Sequence, residues 1–301
     1  MKTTRLILLS TLLLSPLAGC DGGTDDNGVN EGETDSGDGD GDGDTETETE
    51  TGEPEPLDDD EDGLTNEEEA ELGTDPKKKD TDGDNYWDPW ELAEGTDPLD
   101  YDSRIYTGFW PYNPNKDELV QGTWATTGKQ VGKPFPRQSF LDQHGDYVDV
   151  YDFANFTVNQ AMTPAFFIFD ISAQWCGPCH NVANWIKGVD DANTTWIQEL
   201  YPTVREKVHS LRIWWVTFIV QDQAGGAPTL ADAQSWFTVH KDNYIPILVD
   251  ETQQVQDTFL GNAFPHFFLL DPTLAIEYFP PPGGGTNEDP YPAVGLVDTL
   301  L

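Results

Sequence analysis

The chain has 301 residues, of which 56 are acidic and 15 are basic, so its formal net charge at pH 7 is −41. This charge excludes nucleic acid as a partner, because binding to phosphates requires clustered basic side chains. With only three cysteines, a framework of several structural disulfides is also excluded.

The amino terminus has the layout of an export signal. Lys2 and Arg5 precede an apolar run over residues 6–14, which is too short for a membrane-spanning helix of roughly 20 residues. The string Leu17-Ala18-Gly19-Cys20 resembles the lipobox of bacterial lipoproteins. That resemblance implies that residues 1–19 are a signal peptide and that Cys20 is acylated, which would anchor the exported protein to membrane lipid on the periplasmic or cell-surface face. The alternative is a secreted protein whose cleavage site happens to contain a cysteine.

Residues 20–57 form an acidic linker. Gly-Asp repeats are followed by Thr-Glu repeats, and large apolar side chains are almost missing. Such a segment cannot bury enough apolar surface to offset its conformational entropy. We therefore expect it to be disordered and to act as a spacer.

Residues 58–102 contain an acidic repeat with a period of 22 residues. In each unit, acidic residues at positions 1, 3, 5 and 12 match the spacing at which a looped backbone directs several oxygen ligands to one Ca²⁺ ion, with a closing glutamate. Position 6 is Gly63 in the first loop and Asn85 in the second, two residue types that tolerate a left-handed backbone. The candidate calcium ligands are Asp58, Asp60, Asp62 and Glu69 in the first unit and Asp80, Asp82, Asp84, Asp88 and Glu91 in the second.

These units resemble the thrombospondin type-three calcium repeats of bacterial surface proteins, since each contains the terminator Gly-Thr-Asp-Pro, at residues 73–76 and 95–98. The resemblance implies Ca²⁺ binding, with an affinity on the order of 10⁻⁴ to 10⁻³ M. We expect no organic cofactor. The alternative is an acidic run that is only a solvated surface, but the spacing repeated over two units argues against it.

A connector, residues 103–129, leads to residues 130–301, where strand patterns alternate with helix patterns as in an α/β domain. The predicted elements are a strand over 166–171, a helix ending at Lys187, a strand over 211–220, a helix over 230–240, an extended segment over 245–249, a short helix over 254–260, and a hairpin of strands over 267–270 and 274–279.

Cys176 and Cys179 form a Cys-x-x-Cys pair between a predicted strand and a predicted helix. The partial positive charge at a helix amino terminus favours the thiolate form of a cysteine there. We predict that Cys176 is the nucleophile and that Cys179 resolves the mixed disulfide. Between them, Gly177 is expected to let the turn form, and Pro178 fits the first helical turn, where no amide donor is needed.

Three features resemble the thioredoxin-like thiol-disulfide oxidoreductases, in particular the membrane-tethered bacterial redoxins. They are the active-site string Trp175-Cys176-Gly177-Pro178-Cys179, the carboxylate Asp170 at the end of the preceding strand, and Phe264-Pro265 before the final hairpin. The resemblance implies a thioredoxin fold, a central mixed sheet flanked by helices, with a redox-active disulfide. It also implies that residues 142–152 form the early hairpin of the redoxins. It also implies that Asp170 takes the proton of the resolving cysteine and that Pro265 is a cis-proline that faces the disulfide and pairs with substrate backbone.

The same resemblance implies protein disulfides or dithiols as substrates and a separate redox partner, and the Gly-Pro pair favours a reductase. Two positions do not follow this resemblance simply. Ser172 occupies the position of a second tryptophan in thioredoxin, and Pro246 competes with Pro265 for the cis-proline role. Pro265 is preferred because a hairpin follows it.

Other functions fit the cysteine pair less well. A structural zinc site needs four ligands, and the chain has no second cysteine pair. The string Cys-x-x-Cys-His also matches c-type haem attachment, with His180 as an axial ligand; otherwise His180 is expected on the helix surface near the site. A thiol peroxidase of the redoxin family would carry Thr or Ser where this chain has Ala173. A non-catalytic module whose calcium repeats present a surface to a partner remains an alternative.

Overall fold

The computed structural model describes residues 56–154, 166–261, 263–281, 286 and 289–300. The predicted signal peptide, Cys20 and all but the last two residues of the predicted acidic linker lie outside these residues. The described residues belong to one compact unit, Pro54–Leu301. The repeats, the connector and the α/β domain are therefore described together.

Each acidic loop is followed by a short helix, α1 at Asn66–Leu72 and α2 at Asp88–Glu94. Helix α1 begins at a capping box, in which the Thr65 hydroxyl accepts a hydrogen bond from Glu68 N and the Glu68 carboxylate accepts one from Thr65 N. Both helices end at a glycine with left-handed backbone, Gly73 with φ 91° and Gly95 with φ 84°.

The α/β domain is built on one mixed sheet. Its strands are β1 (Ser139–Asp142), β2 (Tyr147–Asp149), β3 (Phe166–Ala173), β4 (Ile213–Gln221), β5 (Ile247–Val249), β6 (His266–Leu270) and β7 (Ile276–Tyr278). Within the described residues these strands lie in the order β2-β1-β5-β4-β3-β6-β7. Strands β3, β4 and β5 run parallel, and β1 and β6 pair antiparallel at the two sides of this group.

Helices connect the parallel strands and cover the sheet. They are α3 (Gly177–Ile186), α4 (Thr195–Leu200), α5 (Val204–His209), α6 (Leu230–Val239), α7 (Gln254–Phe259) and α8 (Pro292–Leu300). Successive β3 side chains enter two different apolar clusters, because side chains alternate between the faces of a strand. Ile168 packs in the cluster of α3, α4, α5 and α8, whereas Phe167 and Phe169 pack in the cluster that includes α7. The predicted fold class, a thioredoxin fold with a central mixed sheet flanked by helices, is confirmed.

The connector also covers part of the sheet, although the sequence predicted no element there. Tyr106 and Trp110 are 6% and 2% exposed and belong to the same cluster as Phe167 and Phe169. Tyr86, from the second acidic loop, belongs to it as well and donates a hydrogen bond to Trp110 O at 2.6 Å. Aromatic side chains that precede the α/β domain in sequence thus cover this face together with α7.

Most predicted elements are present, with shifted ends. Strand β4 begins two residues later than predicted, because Leu211 has φ 57° and lies in the turn after α5. The first hairpin spans residues 139–149, since Val150–Phe153 form a 3₁₀ turn that is capped by the Asp149 carboxylate, which accepts a hydrogen bond from Tyr151 N. Helices α4, α5 and α8 were not predicted.

Candidate redox site and acidic loops

Cys176 and Cys179 form a disulfide at the amino terminus of α3, with their Cα atoms 5.3 Å apart. Cys176 is the N-cap residue, and its Sγ accepts a hydrogen bond from Cys179 N at 3.1 Å. Cys176 is 2% exposed and Cys179 is fully buried. The end of β3 at Ala173 fixes the start of this loop, so the strand and the helix together position both sulfurs.

Of the two residues between the cysteines, one lies as predicted and the other has a different role from the predicted one. Pro178 lies in the first turn of α3, as predicted. Gly177 is different, because its φ is not left-handed and a Cβ atom there would meet no atom within 4 Å. The turn therefore does not require glycine at this position, which corrects the expectation from sequence. The effect of Gly177 is to leave the space beside the disulfide open.

Asp170 lies on β3 and is 1% exposed. Its Oδ1 accepts a hydrogen bond from the Ser172 hydroxyl at 2.7 Å, and its Oδ2 accepts bonds from Thr217 Oγ1 at 3.2 Å and Trp215 Nε1 at 3.4 Å. Burial raises the pKa of Asp170 to about 7, and the three donors oppose this rise by favouring the charged form. The carboxyl can therefore gain or lose a proton near neutral pH.

Two aromatic rings border the disulfide. Trp175 is 48% exposed, its Nε1 donates to Gln221 Oε1 at 2.7 Å, and its ring meets that of Phe264 at a centroid distance of 5.5 Å. Phe264 also packs against the apolar cluster that contains both cysteines. The peptide bond between Phe264 and Pro265 is cis. Strand β6 starts at His266 and runs antiparallel to β3. This peptide therefore lies beside the carboxyl end of β3.

His180 does not lie free on the helix surface. Its Nδ1 is 2.6 Å from His240 Nε2, its Nε2 is 2.8 Å from Gln174 O, and its ring stacks on Trp236 at 4.5 Å. Both ring nitrogens thus already have protein partners, which argues against an axial haem ligand. Burial, and then the nearby charges of His180 and Lys187, lowers the pKa of His240 to about 3. The sequence assigned no chemical role to His240, and its partner His180 lies 60 residues earlier in the chain.

The two acidic loops fold alike. In the first, the Asp58 carboxylate accepts hydrogen bonds from Glu61 N at 2.7 Å and Gly63 N at 3.1 Å. In the second, the Asp80 carboxylate accepts bonds at 2.7 Å and 2.9 Å from the equivalent amides of residues 83 and 85. The residue at position 6 has a left-handed backbone in both loops, with φ 106° at Gly63 and 81° at Asn85. This is the backbone that the two residue types tolerate.

The loops bring together the side chains predicted to bind calcium. Oxygen atoms of the first three aspartates lie within 4.8 Å of one another in each loop, and the closing glutamates come from α1 and α2. Among the described residues, several of the buried oxygens have no hydrogen-bond partner: Asp60 Oδ2, Asp62 Oδ2, Glu69 Oε1 and Oε2, Asp82 Oδ2, Asp84 Oδ2 and Glu91 Oε2. Buried carboxylates without donors are costly. This donor set fits a hard cation such as Ca²⁺, which takes six to eight oxygen ligands.

Asp88 has a different environment from the other candidate ligands. Its Oδ1 accepts a hydrogen bond from Thr81 N at 2.9 Å, and its Oδ2 accepts one from the Thr81 hydroxyl at 2.7 Å. Its charge contributes to raising the pKa of Glu69 in the first unit and of Glu91 in the second, behind burial as the main cause. Asp88 therefore lies near both loops, and a metal would share its oxygens with Thr81.

Comparisons with known proteins address the repeats and the α/β domain separately. The family model of the bacterial TSP3 repeat matches residues 58–79 and 80–100. No curated protein matches the chain.

Solved structures similar to the chain include three bacterial proteins, all at low identity. A thioredoxin-like protein from Bacteroides caccae is 12% identical, with a TM-score of 0.35, over 50% of this chain and 46% of that one. The thioredoxin domain of a thiol-disulfide oxidoreductase from Bacteroides vulgatus is 17% identical, with a TM-score of 0.32, over 49% and 85%. A thiol:disulfide interchange protein from a Bacteroides species is 16% identical, with a TM-score of 0.32, over 49% and 79%. The chain thus spans about half the length of the first of these proteins.

Because these similarities are low, the fold is defined by the strand order and by the position of the disulfide after β3. In the part of the chain that the structure describes, every helix is too short or too polar to cross a lipid bilayer. The chain combines two bacterial TSP3 repeats, in residues 58–100, with an α/β domain of the thioredoxin fold.

Proposed function

We propose that this protein is an exported, lipid-anchored thiol-disulfide oxidoreductase that reduces protein disulfides through Cys176 and Cys179. The observation that carries the proposal is a Cys-x-x-Cys disulfide at a helix amino terminus, on a sheet that also holds the buried carboxylate Asp170 and ends beside the cis peptide before Pro265. Such a helix terminus favours the thiolate.

In the first step of the proposed reaction, the Cys176 thiolate attacks one sulfur of a substrate disulfide. A Cys176–substrate mixed disulfide forms, and the other substrate sulfur leaves as a thiolate that takes a proton from water. The exposed Trp175 ring and the Phe264-Pro265 peptide border this site and would contact the substrate chain.

In the second step, the Asp170 carboxylate accepts the proton of Cys179, and the resulting thiolate attacks Cys176 Sγ. The Cys176–Cys179 disulfide forms, and the second substrate sulfur leaves as a thiolate. Two electrons have then passed from the protein dithiol to the substrate. A separate dithiol partner restores the reduced protein by the reverse exchange.

The acidic loops are proposed to bind Ca²⁺ through the ligands named above, and Asp88 through the oxygens that it shares with Thr81. Bound Ca²⁺ would neutralise carboxylates that otherwise repel one another, which would order the repeats between the linker and the α/β domain. Acylated Cys20 would hold the amino terminus at membrane lipid, so that the redox site acts on exported proteins outside the cytoplasm.

The test is reduction of insulin disulfides by the full chain with dithiothreitol as electron donor. We expect activity in the wild type and in Cys20→Ser, the matched control that loses only the proposed lipid anchor, and loss of activity in Cys176→Ser. Cys179→Ser is expected to accumulate a mixed disulfide with insulin. Turnover by Cys176→Ser at the wild-type rate would exclude this mechanism, and the equilibrium potential of the cysteine pair would decide between reductase and oxidase.

A further inference from the structure

Arg104 stands where a third acidic unit would have a calcium ligand. Asp80 and Asp82 hold positions 1 and 3 of the second unit. One period of 22 residues later, the same two positions are Asp102 and Arg104. The third unit thus keeps the first aspartate and replaces the second with a guanidinium group, which is always charged and has no oxygen to offer a metal. Position 3 of this unit carries a cation of its own.

The backbone before Arg104 follows the pattern of the second unit. Asp97 N donates a hydrogen bond to Ser103 Oγ at 3.0 Å. At the equivalent positions one period earlier, Asp75 N donates a hydrogen bond to Thr81 Oγ1 at 2.8 Å. The residue at position 2 therefore accepts the same bond at the start of both units, and Arg104 follows it directly.

The Arg104 side chain is held in place between two aromatic rings. It is 9% exposed, and its Nη2 lies 3.4 Å from Asp102 Oδ1. Its Cζ atom lies 4.6 Å from the centroid of the Tyr101 ring and 4.2 Å from that of the Phe109 ring. A guanidinium group stacks favourably on such faces, which restrains the side chain. The positive charge is therefore fixed in position rather than free in solvent.

This charge lies beside the second calcium loop. The Tyr86 hydroxyl, from that loop, donates to the carbonyl oxygen of Trp110, the residue after Phe109, at 2.6 Å. Asp84 is fully buried, and its Oδ2 has no hydrogen-bond partner among the described residues. Burial raises the pKa of Asp84 to about 6, and the charge of Arg104 is one of the effects that oppose this rise. Arg104 thus partly compensates a buried carboxylate that is a predicted calcium ligand.

We propose that Arg104 is an internal cation that weakens Ca²⁺ binding at the second loop. The inference rests on the calcium binding of the acidic loops under the proposed function. A fixed positive charge repels an incoming ion that carries two charges, and it also stabilises the loop without an ion. Both effects lower the affinity. The second loop therefore fills at a higher Ca²⁺ concentration than its carboxylates alone would require.

The test compares Arg104→Met with Arg104→Lys, two unbranched side chains of which only lysine is charged. Calorimetric titration of the full chain with Ca²⁺ gives the Kd of the second loop when Asp60→Asn disables the first. We expect Arg104→Met to lower this Kd about three- to tenfold and Arg104→Lys to leave it close to that of the parent. Arg205→Met removes a charge from α5, on the opposite face of the sheet from Tyr86, and should leave the Kd unchanged.

The sign of the change separates a charge effect from a structural one. Loss of a residue that only shapes the loop would weaken binding, whereas loss of a repelling charge tightens it. The difference between the methionine and lysine variants should also shrink at about 1 M salt, where charges are screened. If Arg104→Met fails to fold, Arg104→Gln, which also lacks the charge, repeats the comparison.

Two results would count against the inference. An equal Kd in the charged and uncharged variants, or a higher Kd without the charge, would overturn it while leaving calcium binding intact. Absence of any calcium heat, in the wild type with both loops and in Arg104→Met alike, would reject calcium binding itself and the inference with it.

Discussion

Asp170 links the redox site to the stability of the folded protein. Burial raises its pKa from 3.8 to about 7. Between these pH values the folded protein binds a proton that the unfolded chain has lost. The contribution of this group to stability is therefore fully present below pH 3.8 and is lost as the pH rises through 7. The site thus maintains an ionisable acceptor at the cost of stability at alkaline pH.

Asp170→Asn cannot ionise, so it removes this cost. We expect the oxidised variant to be more stable than the wild type at pH 8.5 by about 2–4 kcal/mol, because each pKa unit corresponds to about 1.4 kcal/mol. The difference should shrink toward zero at pH 4. Urea unfolding of both proteins at the two pH values measures it. Glu277→Gln, at an exposed position on β7, is the control and should give no pH-dependent difference; a variant no more stable at pH 8.5 than at pH 4, relative to wild type, would contradict the prediction.

At the scale of single residues, the sequence identified the candidate functional residues near the cysteines but not the residues that form hydrogen bonds with them. The sequence predicts Asp170 at the end of a strand, but β3 continues to Ala173, so Asp170 lies inside the strand. Its donors Thr217 and Trp215 could not be predicted, because they come from β4, which pairs with β3 only in the folded sheet. The contact between His180 and His240 is likewise made between α3 and the end of α6, and no local pattern in the sequence predicts it.

At the scale of the elements, hydrogen bonds to the carboxylate of Asp152 hold the connector to the α/β domain. Asp152, fully buried after β2, accepts hydrogen bonds from Tyr106 Oη at 2.5 Å and Asn113 N at 2.9 Å. Lys116 Nζ lies 2.8 and 2.9 Å from its two oxygens. One carboxylate thus fixes three connector residues to the α/β domain.

Asp152→Ala would leave the Lys116 ammonium and the Tyr106 hydroxyl without this partner. We expect a loss of about 3–5 kcal/mol in the free energy of unfolding, the range observed when one member of a buried ion pair is removed. Chemical denaturation measures the loss, and limited proteolysis should show new cleavage within residues 103–129. Asp117→Ala, which removes the 83% exposed partner of Arg137, is the control and should change stability by less than about 1 kcal/mol. Equal losses in the two variants would contradict the role of Asp152.

Elements with long apolar runs could be predicted, and so could the six-residue helix α7, whereas helices α4 and α5 of the same length could not. Strand β3 and helix α3 followed from a buried apolar segment and the Cys-x-x-Cys pair. Helices α4 and α5 have six residues each, fewer than two helical turns, so the periodic apolar pattern in them is short, as it also is in α7. The packing of the connector was missed because its aromatic residues have no helical or strand spacing.

In the whole molecule, the two repeats have unequal contacts with the α/β domain. The second repeat sends Tyr86, 3% exposed, into the core of the α/β domain, and Glu94 of the same repeat accepts a hydrogen bond from Tyr112 Oη of the connector at 2.7 Å. The Trp90 ring packs against the Tyr112 ring at a centroid distance of 5.7 Å. The first repeat contacts the second, where Asp75 N donates a hydrogen bond to Thr81 Oγ1 at 2.8 Å. An ion in the second loop should therefore stabilise the redox domain more directly than one in the first.

This difference can be measured with two matched substitutions, Asp60→Asn and Asp82→Asn, at equivalent positions of the two loops. Calcium at about 100 times its Kd should stabilise the wild type by about 2.7 kcal/mol per site. We expect Asp82→Asn to reduce the calcium-induced rise in Tm of the α/β domain more than Asp60→Asn does. Calorimetry of the full chain with calcium or with a chelator tests this. Equal effects of the two substitutions, or no response of the wild type to calcium, would refute the asymmetry.

The aromatic side chains of the second repeat and the connector that pack on one face of the sheet also limit where the protein can be divided. A recombinant fragment starting at residue 130, the boundary that the sequence favours, would lack Tyr86, Tyr106 and Trp110 and would uncover part of the apolar cluster to which they belong. Uncovered apolar patches of this kind cause aggregation. An expression vector for the catalytic half should therefore retain the second repeat, and insolubility of a shorter product would reflect the cut rather than any intrinsic inability of the cysteine-bearing half to fold.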